Sequence, residues 1–176
     1  MAAVAAMAVV VAMVVGWSFL GGSDALVNDG ANGQFGFPNA KVGGVFWFAL
    51  PSFDNATDTP VHLVSVTLKD PPSSVRVLGY RGQSARARGG VLLGYRPDSP
   101  PRDDPRKFPD VPVSSIVVPP HGRADAYVMV ELRLTSAARV ELTQTSVTYT
   151  VSGRTRTQIL SMDLIIEGVA ASQSPD

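Results

Sequence analysis

The sequence predicts an all-β chain: a two-sheet antiparallel sandwich of seven or eight strands behind an N-terminal hydrophobic helix. Three observations predict it. From Val45 to Ile166 apolar residues recur with period 2, the mark of strands with one buried face. The 16 glycines and 14 prolines among 176 residues supply turns between those runs and oppose long helices. Residues 1–20, MAAVAAMAVVVAMVVGWSFL, form the one long uninterrupted apolar run, and no charged side chain precedes Asp24.

That first run sets the expected location. A helix over residues 2–20 would be about 28 Å long, close to the hydrocarbon thickness of a bilayer. Its six valines, one Phe and one Leu together favour insertion, by about 3 kcal/mol in all. The length fits a single-pass signal-anchor that leaves the rest of the chain outside the cytosol. A cleaved signal peptide, giving a secreted protein, is the alternative, with Ser23-Asp24-Ala25 offering small residues at the cleavage positions. Residues 21–44 contain seven glycines and show no periodicity. They read as a flexible Gly/Asn-rich linker between membrane and domain.

The sandwich is expected over residues 45–168, followed by a disordered tail at 169–176. Val45–Leu50 is a strand aromatic enough to be buried on both faces. Pro51–Pro60 is a turn cluster. Val61–Lys69 alternates, with Val64, Val66 and Leu68 on one side and Ser65, Thr67 and Lys69 on the other. Val75–Tyr80, Gly90–Tyr95 and Val113–Val118 are short strands. Tyr127–Leu134 places Val128, Val130, Leu132 and Leu134 inward and Tyr127, Met129, Glu131 and Arg133 outward. Val140–Val151 holds one long strand or two short ones. Thr157–Ile166 closes the series with Leu160, Met162, Leu164 and Ile166 on one face. This count and spacing fit the immunoglobulin-like type, with a small barrel as the alternative.

Composition narrows the function. Zero cysteines exclude disulfides, thiolate nucleophiles and Cys-based metal sites. Fifteen basic residues against fifteen acidic ones remove the global electrostatic case for nucleic-acid binding. No G-x-S-x-G elbow occurs. His121 and Asp125 lie four apart across a turn and read as a turn histidine beside a solvated aspartate. His62, His121, Met129 and Met162 lack copper-motif spacing. Asp54-Asn55-Ala56-Thr57-Asp58 carries oxygens at calcium-like spacing, yet these are also the residues of a tight turn. Asn55-Ala56-Thr57 is a formal glycosylation sequon. No catalytic residue, cofactor or metal is expected.

Two features point to partner binding instead. Leu78-Gly79-Tyr80-Arg81 recurs as Leu93-Gly94-Tyr95-Arg96, around the loop GQSARARGG. The repeat reads as a duplicated binding hairpin, or as two similar strands with Gly at a bulge. Residues 76–107 hold eight cations against three aspartates, an excess of five. Pro97–Pro112 has six prolines in sixteen residues and reads as a semi-rigid extended loop with Phe108 as its apolar contact. The candidate partner-binding residues are therefore Tyr80, Arg81, Arg86, Arg88, Tyr95, Arg96 and Phe108.

The stretches LPSFDNATDTPVHLVSVTL, VRVLGYR, VVPPHGRADAYVMVELRL and VTYTVSGR resemble a recurring pattern in uncharacterised extracytoplasmic proteins of high-GC actinobacteria. In them a membrane segment precedes a lone sandwich domain. The resemblance implies the fold and the location and assigns no catalytic residues. The expected function is a non-catalytic binding or accessory module of the cell envelope, anchored through residues 2–20 and engaging an envelope protein. A metal or small-ligand carrier on the same fold is the alternative.

Overall fold

The computed structural model describes residues 24–28 and 35–170. The anchor expected over 2–20, and residues 171–176 of the expected tail, lie outside them. Among the described residues no helix is long and apolar enough to cross a membrane.

The strands are β1 (Leu26–Val27), β2 (Phe35–Lys41), β3 (Val45–Ala49), β4 (Asp54–Asn55), β5 (Val61–Leu68), β6 (Val75–Ser84), β7 (Gly94–Tyr95), β8 (Val117–Val118), β9 (Ala126–Leu134), β10 (Arg139–Val151) and β11 (Arg154–Val169). One sheet has the order β2-β11-β10-β5-β8, a second β6-β9-β3-β7, and β1 pairs with β4. The apolar stripes of the two larger sheets meet in one core. Phe46, Phe48, Val130 and Leu132 of the four-stranded sheet pack with Leu63, Val66, Val147, Leu160 and Leu164 of the five-stranded one. The chain is thus mostly β in several sheets, as an all-β sandwich requires.

Of the flexible linker expected over residues 21–44, the described parts, 24–28 and 35–44, are corrected. β2 pairs in parallel with β11, and Phe37 and Ala40 are buried. The Phe37 ring lies 5.2 Å from Phe46, and that of Phe35 lies 5.4 Å from Phe48. Two aromatics spaced by one residue suffice to dock a strand, and the glycines around them hide the period. Pro38 fits because β2 is an edge strand. Ala25 and Leu26 are buried as well. The tail boundary shifts too, since Val169 closes β11 opposite Lys41.

One facial assignment changes, and one outer face is covered. Val64 is 49 % exposed, whereas Leu63 and Val66 are buried. The register slips between the Thr148–Ser65 and Tyr149–Leu63 pairs. A bulge there reverses the phase of β5 and turns Val64 out beside His62. On β9, Tyr127 and Met129 point to the expected outer face, where they are buried in a second apolar cluster. On the segment Val113–Val118, Val113–Ser115 is a 3-10 turn and only Val117–Val118 is strand. Of Gly90–Tyr95 only Gly94–Tyr95 pairs. Val140–Val151 lies in one long strand with an irregularity between Leu142 and Gln144.

Candidate functional site

The second cluster marks the most elaborated surface. Trp47, Ala49, Tyr95, Tyr127 and Met129 project from the outer face of the four-stranded sheet, away from the main core. That face would be an exposed apolar patch. Residues 85–112 fold back over it as a strap. The strap begins with a one-turn helix, α1 (Ala85–Arg88). Ser84 caps it by accepting from the Ala87 N–H at 3.0 Å. The Ser84 hydroxyl donates to Asp125 at 2.6 Å, and Asp125 also accepts from the Arg86 N–H at 3.1 Å. The Ser84 hydrogen bond in particular holds the Asp125 carboxyl below its ordinary value. Gly89, at φ 80°, ends the turn.

The proline-rich part is seated by one buried amide. Gln83 is only 1 % exposed. Its Nε2 donates to the Pro105 carbonyl at 2.6 Å. Its Oε1 accepts from Arg88 Nη1 at 3.1 Å and from the Tyr127 hydroxyl at 3.3 Å. Arg88 Nη2 donates to the Asp103 carbonyl at 2.6 Å, and its guanidinium lies 4.0 Å over the Phe108 ring. Gly82 completes the seat, because Val111 N–H donates to its carbonyl at 2.9 Å. A Cβ on Gly82 would lie 2.2 Å from the Val111 carbonyl oxygen, so no larger residue fits without moving the strap. The second turn, Pro105–Lys107, is capped by Asp104. The hydrogen-bonded Arg106 guanidinium lowers the Asp104 carboxyl below its ordinary value, and the carboxylate raises Arg106 in return.

The seven expected partner-binding residues divide by what they touch. Tyr80 and Tyr95 do not form a paired hairpin. β6 and β7 are the two edges of the sheet. Tyr80 accepts from the Leu68 N–H at 2.9 Å, and burial raises its phenol above the ordinary value. Tyr95 is buried in the outer cluster. The repeat is two strands of similar composition, with a register irregularity between Val77 and Gly79. Arg81 pairs with Asp110 at 3.6 Å, donates to the Pro105 carbonyl at 3.3 Å and lies 6.0 Å from the Trp47 ring centre. Arg96 pairs with Asp98 at 2.6 Å. Arg81 from β6 and Arg88 within the strap therefore both hold strap carbonyls, and Phe108 lies beneath Arg88. Arg86 is exposed, and its side chain makes no ion pair among the described residues.

Gln83, Gly82 and Trp47 belong to this surface without having stood out as binding residues in the sequence, and Asp125, expected as a solvated aspartate beside His121, instead caps the Ala85–Arg88 turn. The one signal was local: a Gly-Gln pair interrupting the end of a strand.

Elsewhere the structure resolves the remaining motifs. His121 lies 2.6 Å from Asp58, not beside Asp125. Asp54 forms a bidentate pair with Arg123. Asn55 accepts from the Thr57 N–H at 2.9 Å, the bond of a tight turn. Asn55 is 1 % exposed and its amide donates to the Thr59 and Val118 carbonyls, so the acceptor nitrogen of the sequon is engaged as folded. Among the described residues no group of three or more His, Asp or Glu could hold a metal ion. A cleft of about 260 Å³ lies between the end of β2 and the Arg96–Asp98 turn, floored by Phe46. No protein-family model matches the chain, and no curated protein matches its sequence.

Proposed function

We propose that the chain is a membrane-anchored, extracytoplasmic module of immunoglobulin-like type that binds an envelope protein without catalysis. The observation that carries this reading is the strap. A 28-residue excursion is ordered by Gln83, Arg81 and Arg88 over the outer sheet face, leaving a rigid surface rimmed by Arg86 and Arg102. Rigid surfaces bind with less ordering cost than mobile loops. Exposed cations at the rim favour an acidic partner and act mainly on encounter rate.

The test is photo-crosslinking in native membranes from a reporter replacing exposed Arg102. Adduct formation that is lost in Arg86→Glu, at unchanged melting temperature, supports the reading. An adduct indifferent to Arg86→Glu removes the strap as the binding surface. The cleft at Phe46 favours a second reading, a small-ligand carrier. Native mass spectrometry of the purified domain with no retained small molecule, and no thermal shift with candidate ligands, would remove it.

A further inference from the structure

We propose that residues 24–28 fix which end of the sandwich lies near the membrane, holding the Val151 end of β10 toward the lipid surface. The inference rests on the anchor reading above and goes beyond it by naming the face that meets the bilayer.

This short segment is tightly held. Ala25 and Leu26 are 2 % and 1 % exposed. Leu26 pairs with Asn55 across β1 and β4. The Leu26 N–H donates to Gln158 Oε1 at 3.3 Å, and Gln158 Nε2 donates back to the Leu26 carbonyl at 2.6 Å. Ala25 N–H donates to the Tyr149 hydroxyl at 3.3 Å, which in turn donates to Gln158 Oε1 at 3.2 Å. The Ala25 carbonyl accepts from Ala56 N–H at 2.8 Å, and Asn28 Nδ2 donates to the Ser161 carbonyl at 2.9 Å. Gln158 is a buried polar side chain whose amide is spent on this segment. The clamp fixes the point at which the chain leaves the sandwich on its N-terminal side.

Chain reach then fixes which end is near the lipid. Only Gly21, Gly22, Ser23 and Asp24 separate Leu20 from Ala25. Five peptide steps span at most about 18 Å. The headgroup layer alone takes up about 5–7 Å of that. By contrast the 13 residues of β10 extend over about 43 Å at strand rise. Tyr149 sits two residues from the Val151 end of β10, so the clamp lies at that end. The 54–60 loop, the Pro119–Arg123 turn and the Ser152–Arg154 turn share it through the Asp54–Arg123, Val61–Val118 and Val61–Val151 pairings. The opposite end, with the 69–74 and 135–138 connections, points away from the membrane. The near end carries the Asp54–Arg123 and Asp58–His121 pairs, Asp125 accepting from the Arg86 N–H, and Arg154 opposite Val151. With both signs present, the tether rather than lipid charge sets the orientation.

The cysteine-free sequence makes the test clean. The full chain is reconstituted in phosphatidylcholine vesicles containing a headgroup-level quencher lipid. A fluorophore is placed through Arg154→Cys at the near end or through Ala137→Cys at the far end. The expected result is flotation of both with the vesicles and loss of most emission from position 154 only. The same contrast is expected when anionic phosphatidylglycerol is added. Flotation with equal quenching, no quenching, or quenching mainly at 137 would overturn the orientation and leave the anchor standing. Failure to float would overturn both.

Discussion

Replacing Gln83 by leucine tests the strap directly. Leucine is close in volume and apolar, so the change removes hydrogen bonds with little loss of packing. Three bonds vanish, to the Pro105 carbonyl, Arg88 and the Tyr127 hydroxyl. Each contributes about 0.5–1.5 kcal/mol net. Two of the abandoned groups keep another partner: Pro105 accepts from Arg81, and the Tyr127 hydroxyl accepts from the Leu92 N–H. Neither is left orphaned, which keeps the total near 2–3 kcal/mol, at roughly 1 kcal/mol for each bond lost. For a domain of this size that lowers the melting temperature by about 4–12 °C. Urea titration of wild type, Gln83→Leu, Arg88→Ala and the double variant closes a cycle. Residues sharing a bond should couple by about 0.5 kcal/mol or more. Trypsin gives a local readout, because Arg86, Arg88, Arg102, Arg106 and Lys107 all lie in the strap. Gln83→Leu should be nicked there before the rest of the domain is cut. A melting temperature within about 1 °C of wild type, below the shift expected for even one such bond, with an unchanged tryptic pattern, would refute the reasoning.

Three further outcomes are expected. Val64→Thr should change stability by less than about 0.5 kcal/mol, whereas Val66→Thr, burying a hydroxyl in the core, should cost about 1–3 kcal/mol by urea denaturation; equal costs would contradict the bulge in β5. Phe108→Leu keeps an apolar contact but removes the ring beneath Arg88, and should cost about 0.5–1 kcal/mol and speed tryptic cleavage after Arg88. Asp104 and Asp125 are both held below their ordinary 3.8, so their contribution is complete above that value and is lost as pH falls through the lower folded-state values. Protection of the Arg86 and Arg106 amides, taken relative to their intrinsic exchange rates, should therefore fall below pH 3.8 ahead of that of the β9 amides, and a uniform loss of protection would remove these caps as acid-sensitive points.

The strand positions were legible because the signal is local. A half-buried strand writes its pattern every second residue, and β9, β10 and β11 did so over long runs. The pattern failed where something outside the strand intervened. The bulge in β5 depends on its partner β10, which lies more than 80 residues further on. Tyr127 and Met129 obey the alternation of β9, but the strap covers the face they point to. β2 was masked by glycines, and its docking depends on aromatic contacts with β3.

The candidate surface was legible in outline only. The Arg-rich and proline-rich segments stood out by composition, and they do form one surface. Composition could not say which arginines are spent internally. That depends on Gln83 meeting Pro105, on Arg88 reaching the Asp103 carbonyl and on Arg81 reaching Asp110, across 22, 15 and 29 residues respectively. Sequence by itself determined the all-β class, the positions of the long strands from Val45 onward and the absence of thiol chemistry, since these follow from side-chain type and period. Only the tertiary structure decided which face is covered, which charges remain available and that residues 24–28 are clamped, because each is set by contacts between segments that no local pattern encodes.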